Sequence, residues 1–182
     1  MSGGEETGGA GAGAGGPGAA GFEPSIVAFT CAWCGYPSAV LAGVNRIEYP
    51  PGVMIIRVMC SGMVEPAYIM KAFEYGADGV IIVGCQMDNC HYMVGNKRAE
   101  ERAAMMRELL DLLGIGSTRL RTEWINASQR VEFARAMNEF SARLRELGPG
   151  PVSPGCRDGG VEDSMVERPG RDGALGERYL NE

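Results

Sequence analysis

Three short apolar segments of the chain each end at a cysteine. They cover residues 25–30, 53–59 and 79–84, and the cysteines that follow them are Cys31, Cys60 and Cys85. Their side chains are largely β-branched and do not alternate with polar ones, a pattern typical of buried parallel strands. Residues 119–125 predict a fourth strand, which is more polar and is therefore expected nearer an edge of the sheet.

Helical patterns occupy four further segments, residues 36–47, 65–75, 97–113 and 128–147. The third helix is expected to begin at a cap formed by Asn96. Its predicted buried stripe consists of Met105, Leu109, Leu112 and Leu113. Because strands and helices alternate, the sequence predicts an α/β fold, an open parallel sheet of about four strands with helices on both faces.

Glycine, proline and charged residues dominate both ends of the 182-residue chain. Ten of the first 21 residues are glycine, and residues 149–182 are rich in glycine, proline and charge. Such compositions do not bury a core, so we expect disordered tails at 1–21 and 149–182. The alternative for the second tail, residues 149–182, is that it docks on a partner protein. The segment between them, 22–148, has the size of one domain.

The net charge of −6 lies mostly in the tails, because residues 22–148 carry only −1. A domain so close to neutral has no basic excess for a phosphate backbone, so we expect no nucleic-acid partner. No apolar run reaches the ~20 residues of a membrane span, and the N terminus lacks the basic flank of a secretory signal. We therefore expect a cytoplasmic protein without a membrane span.

Five of the six cysteines lie between positions 31 and 90. In chain order they are Cys31, Cys34, Cys60, Cys85 and Cys90, whereas Cys156 stands alone in the second tail and is taken as incidental. An odd number of thiols in a domain without an export signal argues against a disulfide framework. Parallel strands end at a common edge, where open α/β sheets bind ligands, so the five thiols are expected to converge there.

Several chemistries use such a group of thiols. Buried cysteines can act only as small hydrophobic side chains, but this does not explain five of them at or near strand ends. A thioredoxin-like thiol–disulfide oxidoreductase would use Cys31 and Cys34, which form a C-x-x-C motif, and would leave three thiols unexplained. A zinc-binding assembly module is a further alternative, although structural zinc usually joins two close pairs of cysteines.

An iron–sulfur cluster held by four thiolates is the remaining interpretation, with the fifth thiol spare. His91 is the only histidine, which excludes a Rieske centre, and the chain has no C-x2-C-x2-C-x3-C run. A 2Fe–2S cluster therefore fits best. His91 itself is expected to bond to a loop carbonyl, with hydrogen bonding to the cluster as the alternative. No acid–base pair or substrate pocket is evident, so we expect no turnover by this chain alone.

Six strings of residues carry a resemblance to a known family. They are CAWCGY at 31–36, YPPG at 49–52, IRVMCSG at 56–62, KAFEYGADG at 71–79, GCQMDNCHYxxGN at 84–96 and RTEWI at 121–125. Together they resemble the delta (iron–sulfur) subunit of methyl-viologen-reducing hydrogenase over essentially all of residues 25–145.

The resemblance implies a small electron-transfer subunit of an oxidoreductase complex with one 2Fe–2S cluster. In that family the subunit links an electron donor, such as a hydrogenase or formate dehydrogenase, to the flavin-containing A-type component of heterodisulfide reductase. The family's cysteine positions fall on Cys31, Cys34, Cys60, Cys85 and Cys90 of this chain. Four of these five are expected to be the cluster ligands.

Overall fold

Apolar and β-branched residues form four parallel strands in the computed structural model, which describes residues 21–152. The strands are β1 (Ile26–Cys31), β2 (Val53–Val58), β3 (Gly79–Cys85) and β4 (Leu120–Ile125), and their order in the sheet is β2-β1-β3-β4. All three pairings are parallel. In β1, Ile26 lies beside Val53 of β2 on one side and beside Gly79 of β3 on the other. The predicted open parallel sheet is confirmed.

Four helices cover both faces of this sheet. They are α1 (Gly35–Val44), α2 (Pro66–Glu74), α3 (Gly95–Leu112) and α4 (Arg130–Leu147). One core lies between the sheet and α2 and α3, and the other lies between the sheet and α1 and α4. Alternate residues of β3 feed the two cores, because Ile81 points to one face and Ile82 to the other. The predicted helices on both faces are confirmed.

The strand β2 lies at an edge of the sheet, which differs from the buried strand expected for residues 53–59. Met54 is 61% exposed and Ile56 is 38% exposed. The reason is the strand order, which gives β2 only β1 as a neighbour. An unbroken apolar run indicates a strand but does not show whether it is central. The expectation that residues 119–125 lie near an edge is confirmed by β4.

The buried stripe predicted on the third helix is wrong. Met105, Leu109, Leu112 and Leu113 are all exposed, Leu112 by 85%. The helix instead buries a stripe that contains Ala99, Ala103, Met106 and Leu110. Two of these four residues are alanines, whereas the exposed face carries larger apolar side chains. The number of large apolar residues on a face therefore does not decide which face of this helix is buried.

A buried polar network closes the edge of the sheet at which the strands begin. The carboxylate of Asp78, 2% exposed, accepts hydrogen bonds from the backbone N–H groups of Ser25, at 2.9 Å, and Gly150, at 2.7 Å. The Arg119 guanidinium donates to the carbonyl oxygens of Asp78 and Gly148, both at 3.0 Å. The network ties the segments before β1 and after α4 to the start of β3.

The predictions about the two tails fall mainly on residues 1–20 and 153–182, which lie outside the described residues. Disorder of the tails, partner docking by the second tail and an incidental Cys156 therefore stay predictions. Within the described range, no helix combines the length and apolar character needed to cross a membrane.

We expect Asp78→Ala to lower the free energy of unfolding by about 3 kcal/mol, because it leaves two buried N–H groups without their charged acceptor. Urea denaturation at neutral pH measures this change. Glu146→Ala is the matched control, since Glu146 forms an exposed ion pair with Arg143 on α4 and exposed pairs contribute little. Equal stability of the two variants would contradict the role given to Asp78.

Candidate metal centre

Three of the five thiols lie at or just beyond the ends of neighbouring strands. Cys31 is the last residue of β1, Cys85 is the last residue of β3, and Cys60 follows β2 by two positions. Because β1 lies between β2 and β3, the three side chains meet at the C-terminal edge of the sheet. The sulfur atoms of Cys31 and Cys85 are 3.7 Å apart, and both residues are 1% exposed.

The other two thiols come from loops at the same edge. Cys34 immediately precedes α1, and its side chain interacts with that of Cys85. Cys90 lies in the loop between β3 and α3, and its side chain interacts with that of Cys60. The thiols thus form a group of three (Cys31, Cys34 and Cys85) and a pair (Cys60 and Cys90). The structure brings the five cysteines together at this edge, as the sequence predicts. The pair and the group are close to each other, since a charge on Cys31 would repel one on Cys60, and a charge on Cys90 would repel one on Cys34.

The loop that carries Cys90 is bent by two residues with left-handed backbone conformations. Asp88 has a φ of 63° and Met93 a φ of 68°, values that non-glycine residues rarely adopt. An ion pair of 2.8 Å between Asp88 and Lys97 joins the loop to the first turns of α3. These bends fold the loop back over the sheet edge, so that Cys90 approaches Cys60.

Two glycines make room for the Cys60–Cys90 pair. A Cβ built on Gly95, the first residue of α3, would overlap the Cys60 sulfur and lie 3.3 Å from the Cys90 sulfur. A Cβ on Gly62 would lie 2.8 Å from the carbonyl oxygen of Gly95. The backbones of the turn after β2 and of the start of α3 therefore touch, and no side chain separates them from the sulfurs.

Burial and backbone hydrogen bonds act in opposite directions on the thiols. Burial raises the pKa of Cys34, Cys60 and Cys85 above the usual value, most strongly for Cys85. Burial also opposes ionisation of Cys90, but its pKa is lowered because the backbone N–H group of Tyr92, those of Asn96 and Gly95 at the start of α3, and the Cys60 thiol donate to its sulfur. The N-terminal amides of a helix have no partner within the helix and are free for this role.

Asn96 has a different role from the predicted helix cap. Its Nδ2 group donates to the carbonyl oxygens of Cys85, at 3.1 Å, and Gln86, at 2.8 Å, and the residue is fully buried. Since α3 already begins at Gly95, Asn96 lies within its first turn and its side chain turns toward the end of β3. The prediction of a cap is therefore wrong, and Asn96 instead fixes the strand end that carries Cys85.

Arg102 is a second supporting residue that the sequence patterns did not single out. Its Nη1 donates to the carbonyl oxygen of Gly62 at 2.7 Å, which holds the short 3-10 turn Ser61–Met63 after Cys60. The sequence signal for this role is the position of Arg102, which lies two helical turns after Gly95 on the same helix. An arginine on a charged helix face is usually solvated, so this signal is weak without the fold.

Aromatic side chains lie beside the thiols. The indole ring of Trp33 stacks on the His91 imidazole, with ring centroids 3.6 Å apart and planes 17° from parallel. Trp33 Nε1 also donates to the Tyr92 hydroxyl at 3.3 Å. Within residues 21–152, His91 is held by this stacking and not by the loop carbonyl bond that the sequence favours. The stack joins the segment between Cys31 and Cys34 to the segment that follows Cys90.

The surface around the thiols is rich in exposed apolar side chains. We call this set the apolar rim, which consists of Trp33, Met59, Met63, Met87, Tyr92, Met93 and Val94. A cavity of about 310 Å³ opens between Met59, Met63 and Tyr92 and reaches Cys60. The thiol group is therefore close to the surface, but apolar side chains border it.

The residues present fit an iron–sulfur cluster. Thiolates are the ligands of such clusters, and the absence of a side chain at Gly95 lets the Cys60 sulfur lie against the start of α3 and beside Cys90. Within residues 21–152 no three His, Cys, Asp or Glu side chains surround one point as ligands of a single metal ion. The thiols are divided instead between the group of three and the Cys60–Cys90 pair.

Comparison with known proteins identifies the family to which the chain is similar. Residues 26–148 match the family described as methyl-viologen-reducing hydrogenase, delta subunit. The chain is 49% identical over 128 residues to the iron–sulfur (D) subunit of an F420-non-reducing hydrogenase from Methanococcus voltae, a match that covers 70% of this chain and 89% of the relative. The corresponding iron–sulfur protein from Archaeoglobus profundus is 48% identical over 128 residues, which cover 70% of this chain and 93% of the relative.

A third relative is much longer. It is the A-type component of the ferredoxin/F420H2-dependent CoB-CoM heterodisulfide reductase of Methanosarcina acetivorans, 45% identical over 126 residues, 69% of this chain but only 16% of that protein. The match shows that a domain of this kind also occurs inside a component of heterodisulfide reductase. By the extent of the family match and the identity to its members, this chain belongs to the methyl-viologen-reducing hydrogenase delta-subunit family.

Proposed function

We propose that this protein is an electron-transfer subunit that binds a 2Fe–2S cluster at the C-terminal edge of its sheet. The observation that carries the proposal is the meeting of five thiols from separate segments at that edge. Relatives named as iron–sulfur subunits support the cofactor class. When bound, such a cluster accepts and releases a single electron, and the chain itself binds, orients and shields it.

The proposed ligands are Cys60, Cys90 and two of the three thiols Cys31, Cys34 and Cys85. A 2Fe–2S cluster takes four cysteine ligands, two on each iron. The direct interaction between the side chains of Cys60 and Cys90 suits a pair on one iron. The group of three then supplies the two ligands of the other iron and the fifth thiol.

The geometry favours a cluster over the two other thiol chemistries. A thiol–disulfide oxidoreductase that uses Cys31 and Cys34 leaves the Cys60–Cys90 pair without a role, although this pair lies at the same edge of the sheet. A zinc-binding assembly module needs four ligands around one ion, whereas no three His, Cys, Asp or Glu side chains within residues 21–152 surround one point. Both alternatives remain distinct outcomes of the first experiment below.

The proposed partners follow from the relatives. Two are iron–sulfur subunits of F420-non-reducing hydrogenases, and one is the A-type component of a heterodisulfide reductase. We infer that this chain relays electrons between a donor oxidoreductase, such as a hydrogenase or formate dehydrogenase, and a heterodisulfide reductase A-type flavin subunit in the cytoplasm. The apolar rim supports this role, because flexible methionine side chains suit adaptable contact surfaces.

We expect protein purified without oxygen to contain about two irons and two acid-labile sulfides per chain. Reduction with dithionite should give an EPR signal of spin one-half, because one added electron leaves a 2Fe–2S cluster with an unpaired spin. Stoichiometric zinc and no EPR signal would replace the proposal with the assembly module. A metal-free protein with a titratable Cys31–Cys34 disulfide would replace it with the thiol–disulfide oxidoreductase.

Replacement of either member of the pair, Cys60→Ser or Cys90→Ser, should abolish the visible absorbance of the cluster, since each removes a proposed ligand. Among Cys31, Cys34 and Cys85, two serine variants should lose the cluster and one should retain it. Cys156→Ser is the control and should keep the full iron content. A cluster that survives replacement of Cys60 or Cys90 would refute the ligand assignment.

We expect Gly95→Ala to lower the affinity for the cluster roughly tenfold or more, the range typical of residues that support metal ligands. Its methyl group would occupy the position of the Cys60 sulfur. Gly43→Ala is a matched control on α1, because a Cβ there meets nothing within 4 Å. Iron content and circular dichroism should separate the two, with both variants folded and only the first depleted of iron. Equal iron content would show that Gly95 does not shape the site.

A further inference from the structure

A buried hydroxyl group without a partner follows Cys60 directly. Ser61 begins the 3-10 turn after β2 and is 1% exposed. Among the residues that the structure describes, no hydrogen-bond partner lies within reach of its Oγ atom. Buried polar side chains nearly always have partners, and an exception calls for a specific explanation, such as a redox role.

The Ser61 side chain extends from the end of β2 toward the end of β3. A Cβ built on Gly84 would lie 2.8 Å from the Ser61 Oγ, so the hydroxyl packs against the backbone one residue before Cys85. The Trp124 ring covers the same glycine. The hydroxyl is therefore enclosed between an aromatic wall and the two strand ends that carry Cys60 and Cys85.

Other buried hydroxyl groups near this edge are satisfied by the protein. Ser38 Oγ donates to the carbonyl oxygen of Asn126 at 2.7 Å, and Thr30 Oγ1 donates to that of Ile56 at 3.4 Å. The fold thus supplies carbonyl acceptors to hydroxyl groups at this end of the sheet. Ser61 differs from these two residues, because its hydroxyl has no acceptor among the described residues.

We propose that the Ser61 hydroxyl donates a hydrogen bond to a sulfur atom of the bound cluster and thereby raises the cluster's reduction potential. This inference rests on the proposed function. Reduction adds negative charge to the cluster, and a hydrogen bond to a charged acceptor is stronger than one to a neutral acceptor. The donor therefore stabilises the reduced state more than the oxidised state, and hydrogen bonds to sulfur are an established control of such potentials. Ser61 acts here as a positioning and tuning residue, not as a ligand.

The chain offers a matched control for this proposal. Ser141 on α4 is the other buried serine in residues 21–152 whose hydroxyl has no partner. Its helix neighbours Phe140 and Leu144 pack against Gly79, the first residue of β3, at the end of the strand opposite Cys85. Ser61 and Ser141 thus share burial and chemistry and differ in their distance from the thiols.

The test is an EPR-monitored redox titration of the full chain carrying its cluster, with wild type, Ser61→Ala and Ser141→Ala compared. We expect Ser61→Ala to bind a full complement of iron and to lower the ratio of reduced to oxidised cluster about tenfold at a fixed ambient potential. For a one-electron couple this factor corresponds to a shift of ~59 mV toward more negative values. Ser141→Ala should titrate like the wild type.

Equal potentials for Ser61→Ala and the wild type would overturn the proposal, as would an equal shift in Ser141→Ala. If Ser61→Ala does not retain iron, Ser61→Thr decides, because threonine keeps the hydroxyl. Binding of the cluster by Ser61→Thr at the wild-type potential supports the proposal, and a shifted potential or a lost cluster overturns it. A wild-type protein without iron and sulfide would instead refute the proposed function, so the two failures are distinguishable.

Discussion

The parallel pairing of β1 with β3 is the constraint on which the rest of the site depends. These strands are separated by β2 and α2 in the sequence but are neighbours in the middle of the sheet. From β1 the chain adds β2 on one side, and from β3 it adds β4 on the other side, so the direction in which strands are added reverses between β1 and β3. Open α/β sheets bind their ligands at such a point. Cys31 and Cys85 end the two strands there, with their sulfur atoms 3.7 Å apart. The loops that leave the same strands, and the turn after β2, then bring the other three thiols to this pair.

The electrostatics of the thiols are consistent with a bound cationic group. Burial raises the pKa of three of them, and crowding adds repulsion between any two that ionise together. Thiolates are nevertheless the form that binds metal. In the proposed cluster, iron would supply positive charge that offsets both costs, while the backbone amides of Tyr92 and of the first residues of α3 already favour the thiolate of Cys90. The site therefore combines backbone donors around Cys90 with buried thiols whose ionised form a cation would favour.

The strands and their cysteines could be predicted from the sequence, because a buried strand of a parallel sheet is a local apolar run and its end is marked by the residue that follows. The order of strands is not local, so the edge position of β2 could not be predicted in the same way. The face that α3 buries carries two alanines, and the larger apolar side chains lie on its other face, so the count of large apolar residues does not predict the buried face. Asn96 and Arg102 bond to backbone carbonyls of distant segments, and no periodicity encodes such contacts.

The two edges of the sheet have different physical roles. At the edge where the strands begin, Asp78 and Arg119 are buried and satisfied by backbone groups, and they fix both ends of the described chain. The two apolar cores extend from there between the sheet and its helices without using any of the five thiols as a large packing group. The opposite edge has small residues, bent loops and exposed methionines around the sulfurs. The residues that form the cores and those that border the thiols are therefore largely different, whereas small zinc modules depend on the metal itself to fold.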